Sequence, residues 1–297
     1  MSNVLELHNE LAVGTYRHGG YEHFKISDPK PRDIHKASVR DRLVHHALYR
    51  KLCPFFDRTF IADSYSCRLN KGTHRAMNRF RSFAYQVSKN DTRTCWVLKC
   101  DIRKFFASID QYVLMEIIGT YIPDKRIRAL IGDVVSSFRS TRPTPCVGQI
   151  GLPLGNLTSQ LLVNIYMNEF DQFVKHELKA KYYIRYADDF VILSHNKNHL
   201  LEILPYMEVF LRDTLKLEMH PNKVSISTFA SGVDFLGWIH FTDHRVLRTT
   251  TKWRMLKALC RNPEENTIMS YHGMLSHGNA HKLSTLIPPN NKDVIHY

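Results

Sequence analysis

The sequence predicts an α+β fold, an antiparallel sheet with helices on one face. Three observations carry that expectation. From Tyr182 to Ser194, two runs rich in β-branched and aromatic residues flank the adjacent acids Asp188 and Asp189, the pattern of a hairpin with carboxylates at or beside its turn. Thr94 to Asp101 reads as a buried strand that ends in an acid. Apolar residues at helical spacing fill the segments between, giving the order strand, two helices, glycine loop, long helix, hairpin, helix, hairpin. In such a domain Asp101 and the Asp188-Asp189 hairpin can sit on neighbouring strands and meet at one rim.

Residues 1–100 are basic and punctuated by turns, with a loop at Asp28-Pro29-Lys30-Pro31. Arg32 to Ala47 starts extended and turns helical, with Val39, Leu43, Ala47 and Leu48 on one face. Ser64 to Ala76 is polar and carries Arg68, Lys71 and Arg75 beside Tyr65; it is either a solvated surface or a phosphate-holding loop. After Phe105-Phe106, helices span Ile109 to Ile118 and Asp124 to Phe138, the second burying Ile127, Ile131, Val134 and Val135. Gly148 to Gly155 is a loop, and Asn156 or Thr158 caps the helix that runs to about Lys179. Asn198 to Leu215 is helical. Val224 to Thr228 and Val233 to Phe241 are short strands around Ser231-Gly232, and Thr251 to Cys260 and Glu264 to Leu275 are basic amphipathic helices.

The chain of 297 residues can bury a sizeable core in two or three subdomains. Lys and Arg number 41 against 28 acids, a net charge of +13 that calls for an acidic partner. Nucleic acid leads and a membrane surface follows. No apolar run approaches the roughly 20 residues of a spanning helix, and the N-terminus lacks the apolar core of a secretory signal. The six cysteines form no C-x-x-C pair, which fits free thiols in a reducing cytoplasm. His272, His277 and His281 with Cys260 match no standard zinc spacing, so solvated histidines are the simpler reading.

Adjacent acids at a strand end repel, and burying either unpaired is costly. A divalent cation removes both penalties, and oxygen ligands suit Mg²⁺. A solvated Asp-Asp turn is the plain alternative. With Asp101 at the same rim, the set suits two ions about 3.5–4 Å apart that activate a hydroxyl and stabilise a leaving pyrophosphate. Successive strand residues point to opposite faces, so Asp188 and Asp189 cannot aim alike. Asp188 is expected to be the stronger ligand.

These residues resemble the motifs of a reverse transcriptase over nearly the whole chain. Tyr186-Ala187-Asp188-Asp189 resembles the Y-x-D-D box of the palm. Asp101 to Phe106 resembles the preceding palm motif, which implies Asp101 as a metal ligand, the Ile102 carbonyl as a further one, and Phe106 beneath the nucleotide sugar, excluding ribonucleotides. Arg32 to His45 resembles a fingers motif of bacterial intron-type enzymes, which implies that Arg32, with Lys30, holds the triphosphate. Asp33 and Ala37 replace two prolines of that motif. Ser64 to Ala76 resembles the next fingers motif, implying template contacts by Arg68, Lys71 and Arg75. Asn222-Lys223 resembles the palm lysine motif, and Phe235-Leu236-Gly237 the primer-grip hairpin. Tyr186 joins the nucleic-acid contacts.

Leu154-Gly155-Asn156-Leu157-Thr158-Ser159-Gln160 narrows the resemblance to enzymes of diversity-generating retroelements, because Leu154 stands where most relatives carry glutamine and Ser159-Gln160 replaces S-P. Leu154, Gly155 and Gln160 would then line the nucleotide. Ser270 to Asn279 resembles the short thumb of that family. The resemblance implies a right-hand polymerase with fingers at 1–94, palm at 95–243 (with part of the fingers helices inserted) and a small helical thumb at 244–297. It implies two Mg²⁺ ions (or Mn²⁺), dNTPs, a template RNA and RNA/cDNA duplex, and a small basic oligomeric accessory variability protein. Frequent errors at template adenines and a cytoplasmic location also follow. The alternatives are an antiphage or otherwise unassigned reverse transcriptase, a non-catalytic RNA-binding protein on a polymerase fold, and a zinc-dependent nucleic-acid binder.

Overall fold

The computed structural model describes residues 2–27, 31–138, 149–261 and 264–287. Along the chain, helix α1 (Ser2–Val13) leads into the hairpin β1 (Tyr21–Ile26) and β2 (Arg32–Ala37), then α2 (Val39–Phe56) and α3 (Thr73–Ser88). Strand β3 (Trp96–Asp101) precedes α4 (Phe105–Ser108), α5 (Gln111–Tyr121), α6 (Lys125–Ser136) and α7 (Leu157–Gln172), which ends in a π turn at Phe173–Glu177. Strands β4 (Tyr183–Tyr186) and β5 (Asp189–Ser194) follow, then α8 (Lys197–Asp213), β6 (Ser225–Thr228), β7 (Val233–Phe235), β8 (Trp238–His240) and β9 (Arg245–Leu247). Helices α9 (Thr249–Arg261), α10 (Glu265–Leu275) and α11 (His281–Ser284) complete it.

The central sheet is antiparallel in the order β4-β5-β3-β6. Leu98, Cys100, Phe190 and Ile192 face a core shared with Ile118, Tyr166, Phe170 and Met207 of α5, α7 and α8. Val97, Val191 and Leu193 point the other way, onto Phe80 and Phe83 of α3. Both faces of β3 and β5 are therefore covered, which explains why these strands read as continuous apolar runs. A third core gathers Trp238, Leu247, Met255 and Leu275 around the C-terminal helices.

Some expectations shift. The buried side of α2 is Val44, Leu48 and Leu52, not Val39, which is 68% exposed, or Leu43. The helix is rotated to bury Asp41, which accepts hydrogen bonds from Tyr16 and from the Ser38 hydroxyl and backbone of Gly19. Ile127, expected inside, is 39% exposed. Ser231-Gly232 is not a hairpin turn: β6 pairs with β3 while β7 pairs with β8. The tight turn is instead Leu236-Gly237, with φ of 53° and 87°, a geometry that joins two strands directly. Among the described residues, no helix is long and apolar enough to cross a membrane.

Candidate active site

Asp101 is the last residue of β3 and lies directly opposite Asp189, the first of β5. Ala187 and Asp188 form the β4–β5 turn, and Ala187 takes the left-handed conformation (φ 55°) that lets the chain reverse. The Ile102 N–H donates to the Asp188 carbonyl at 3.2 Å, so the turn is tied to the strand bearing Asp101. Asp101 and the distant Asp188-Asp189 pair thus share one rim.

Their charges are poorly compensated. Burial raises the Asp189 carboxyl to about 6; Lys99 opposes the rise, and Asp188 and Asp101 add to it. Burial also raises Asp188, with Asp101 adding to the rise and Lys223 and Arg32 opposing it. Asp101 accepts a hydrogen bond from Lys223 Nζ at 2.7 Å. Lys99 Nζ, in turn, donates to the Asp234 carbonyl at 2.5 Å. Asp188 thus feels Arg32 of β2, whereas Asp189 feels Lys99 most strongly among the cations.

Among the described residues, no three His, Cys, Asp or Glu side chains are assembled as a ready metal cluster. Lys223 takes up one Asp101 oxygen. The donor set is nonetheless all oxygen, partly desolvated and mutually repelling, which fits a hard divalent cation.

The remaining residues divide. Arg32 begins β2 and reaches Asp188 electrostatically. Phe106 is half-buried in α4, and its carbonyl accepts from Leu152 N at 2.8 Å, tying it to the glycine loop. Leu154 is half-buried, Gly155 has φ of 110°, and Gln160 lies half-buried in the first turn of α7. Tyr186 accepts a hydrogen bond from Thr73. Lys30 lies outside the described residues.

Two expectations need correction. Arg68 is only 6% exposed; it donates to Asp57 Oδ1 and to the carbonyls of Asp57, Ile61 and Ser64. It shapes the loop rather than meeting phosphate. Lys71 is likewise turned onto the Ala62 carbonyl and the Tyr65 ring, and Arg75 donates to the Asn70 carbonyl from an exposed position. Phe235 is fully buried against Phe80, so it anchors the hairpin rather than offering its ring to a ligand. His277 stacks on His74 with ring centroids 3.5 Å apart.

The support beneath the turn carries no local motif. Arg185 and Asp171 form a fully buried ion pair. Arg185 also donates to the Ala187 carbonyl at 3.1 Å, to Asn164 and to Ser64. The available signal was a lone arginine inside an apolar strand run, which requires a buried acid somewhere.

A groove of about 1410 Å³ opens between Ile26 and Ser27 of the β1 hairpin and the basic, aromatic surface of α9, including Trp253 and Lys257.

The model of the family described as Reverse transcriptase (RNA-dependent DNA polymerase) matches residues 26–240. The chain is 26% identical to Protein YkfC of Escherichia coli (strain K12), covering 87% of this chain and 75% of that protein. It is 23% identical to the group II intron-encoded protein LtrA of Lactococcus lactis subsp. cremoris, over 76% of this chain but only 46% of LtrA. The structure of apo telomerase from Candida tropicalis superposes with a TM-score of 0.58 at 11% identity, covering 85% of this chain and 54% of that one. That likeness speaks for the fold alone. With the family model spanning both acid-bearing strands and the Lys223 and Leu236-Gly237 segments, the chain belongs to the reverse transcriptase family.

Proposed function

We propose that this chain is an error-prone reverse transcriptase of a diversity-generating retroelement, copying a template RNA into mutagenic cDNA. The observation that carries the polymerase reading is the register that sets Asp101 opposite Asp189 and ties Ile102 N to the Asp188 carbonyl. Asp101 and Asp188, with the Ile102 carbonyl, would hold two divalent ions, Mg²⁺ in our reading, and Asp189 would support them. Such ions supply charge neutralisation and a more acidic primer 3′-hydroxyl.

The chain's own residues do the rest. Arg32 of β2, whose charge is felt at Asp188, would receive the triphosphate. Phe106 presents its ring to the sugar and excludes a 2′-hydroxyl by contact. Lys223 sits at the same rim, where its ammonium can give a proton to the departing pyrophosphate. The Leu236-Gly237 turn presents backbone to the primer strand, and Gly237 carries no side chain to obstruct it.

The fingers, palm and thumb would meet near residues 94 and 243. The finer assignment rests on Leu154. Glutamine at the nascent pair can hydrogen-bond the nucleotide sugar, whereas leucine offers only apolar contact. Misincorporation opposite template adenine follows, with a small basic accessory protein as the expected partner.

Asp188→Ala combined with Asp189→Ala should abolish cDNA synthesis on an RNA template while RNA binding persists. Extension near the wild-type rate would overturn the polymerase reading. Unchanged adenine errors in Leu154→Gln would remove Leu154 as the determinant.

A further inference from the structure

Asn156 occupies the N-cap position of α7 with extended backbone (φ −107°, ψ 144°), yet its side chain makes no capping bond. Elsewhere in this chain Ser38, Asp110, Asp124 and Asn196 all cap their helices by accepting from backbone N–H groups. Asn196 shows that the same side chain caps readily. Forgoing a cap costs helix stability, so the Asn156 amide is committed elsewhere.

It is committed to the fingers hairpin. Asn156 Nδ2 donates to the His35 carbonyl at 2.8 Å, and its Oδ1 accepts from the Ala37 N–H at 3.4 Å. His35 N–H donates to the Leu154 carbonyl at 2.9 Å. Between them, Gly155 passes so close to β2 that a Cβ there would stand 2.9 Å from Ile34 Cγ2. The left-handed φ of 110° at Gly155 reinforces the demand for glycine.

Three consecutive residues therefore dock on Ile34 to Ala37. Odd-numbered N–H groups of β2 face the loop, and the alternate ones face β1, as an antiparallel edge allows. Asn156 is 4% exposed, so water does not substitute easily for its bonds. The strand that carries Arg32 and the loop that carries Leu154 are one mechanical unit.

We propose that Asn156 is a positioning residue for nucleotide selection: it locks Leu154 to the strand bearing Arg32, so that the triphosphate clamp and the surface beside the nascent pair keep one fixed spacing. This rests on the roles given to Arg32 and Leu154 under the proposed function. Loosening the lock lets Leu154 drift from the nascent pair while Arg32 still meets triphosphate. Nucleotide affinity then falls for all four dNTPs, and the excess of errors at template adenine shrinks.

The test uses the full chain with Asn156→Ser, which can still cap α7 but is too short to reach β2. Asn156→Asp is the second variant; it caps well and sets a carboxylate against the His35 carbonyl. Hydrogen exchange without substrates reads the lock directly. The amide of His35 should exchange about tenfold faster in both variants, and that of Ala37, whose acceptor is removed, in Asn156→Ser, the scale of one buried neutral hydrogen bond. Primer extension on an RNA template should show KM for each dNTP raised about tenfold and kcat changed by less than about threefold. The ratio of errors at template adenine to errors at other bases should fall by at least about twofold, a shift that simple loss of stability does not produce.

Unchanged exchange at His35 and Ala37 overturns the lock, whatever the activity. Faster exchange with wild-type KM and error ratio overturns the positioning role. A wild-type chain that extends no primer under any divalent ion overturns the polymerase reading itself, and this proposal with it.

Discussion

The guanidinium of Arg185 meets the carboxylate of Asp171 through two hydrogen bonds, Nε to Oδ1 at 2.8 Å and Nη2 to Oδ2 at 2.7 Å, with both side chains wholly excluded from solvent. Tyr183 donates to the same carboxylate at 2.7 Å. From this anchor Arg185 reaches forward to the Ala187 carbonyl, inside the turn that presents Asp188. A buried pair of this kind contributes little net stability against an apolar pair, but removing one member strands a charge.

Asp171→Asn should therefore destabilise the chain by about 3–5 kcal/mol, read as a lower urea midpoint. Asp171→Leu combined with Arg185→Met should recover most of that stability. It should not recover activity, because the turn loses the donor that holds Ala187. If the double variant polymerises normally, the pair serves packing alone.

If Asp101 holds a divalent ion as proposed, Lys223 would compete with that ion for the Asp101 carboxylate. The Lys223 ammonium lies 2.7 Å from Asp101 Oδ2 and is itself 43% exposed. Lys223→Ala should leave Asp101 uncompensated and lower the Mg²⁺ concentration needed for half-maximal extension. Maximal turnover should fall by about 10²–10⁴-fold if the lysine acts as the acid for pyrophosphate. These opposite movements come from one Mg²⁺ titration. A raised Mg²⁺ requirement would mean that Lys223 does not compete at Asp101.

Much of this site is legible in the sequence because carboxylates at strand ends are unusual and costly. Asp101, Asp188 and Asp189 announce themselves that way, and Asp124 announces the start of α6 by its N-cap position. Arg68 and Phe235 do not. Their residue types suggest phosphate and primer contacts, but the fold turns Arg68 onto the carbonyls of its own loop and Phe235 onto Phe80. Partners such as Asp171 for Arg185, or His35 for Asn156, lie 14 and 121 residues away. No local pattern specifies such pairings. The strand β1 is similar: its mostly exposed residues, apolar and polar mixed, become a strand by pairing with β2.

Two buried histidines contribute to the response to acid. Burial lowers His45 to about 4, with His18 adding to the effect; its Nε2 is 3.0 Å from His18 Nε2. Burial lowers His240 to about 4, with Arg245 adding. Both fold neutral, so the unfolded chain binds protons first. Their contribution to stability is intact above about pH 6.5, declines as pH falls below it, and is fully lost near pH 4. Each can cost up to about 1.4 kcal/mol per pH unit in that window. Asp189, raised to about 6, acts with the opposite sign, so the test is a difference. Urea midpoints between pH 7.5 and 4.5 should fall less in His240→Gln than in the wild type. Parallel curves would show that His240 does not titrate on unfolding.

The groove beside α9 should divide its work between charge and stacking. Trp253 is 64% exposed on the same helix as Lys257, and both line the groove facing Ile26 and Ser27. A lysine that neutralises one phosphate releases a counterion, so Lys257→Ala should reduce the slope of log K against log salt by about 0.9 on duplex. An aromatic ring that stacks on a base releases none. Trp253→Ala should weaken single-strand binding by about 1–3 kcal/mol and leave the salt slope unchanged. Binding titrations of both variants at four salt concentrations separate the two effects. If Trp253→Ala changes the slope, or Lys257→Ala does not, the groove does not hold nucleic acid in the way its surface suggests.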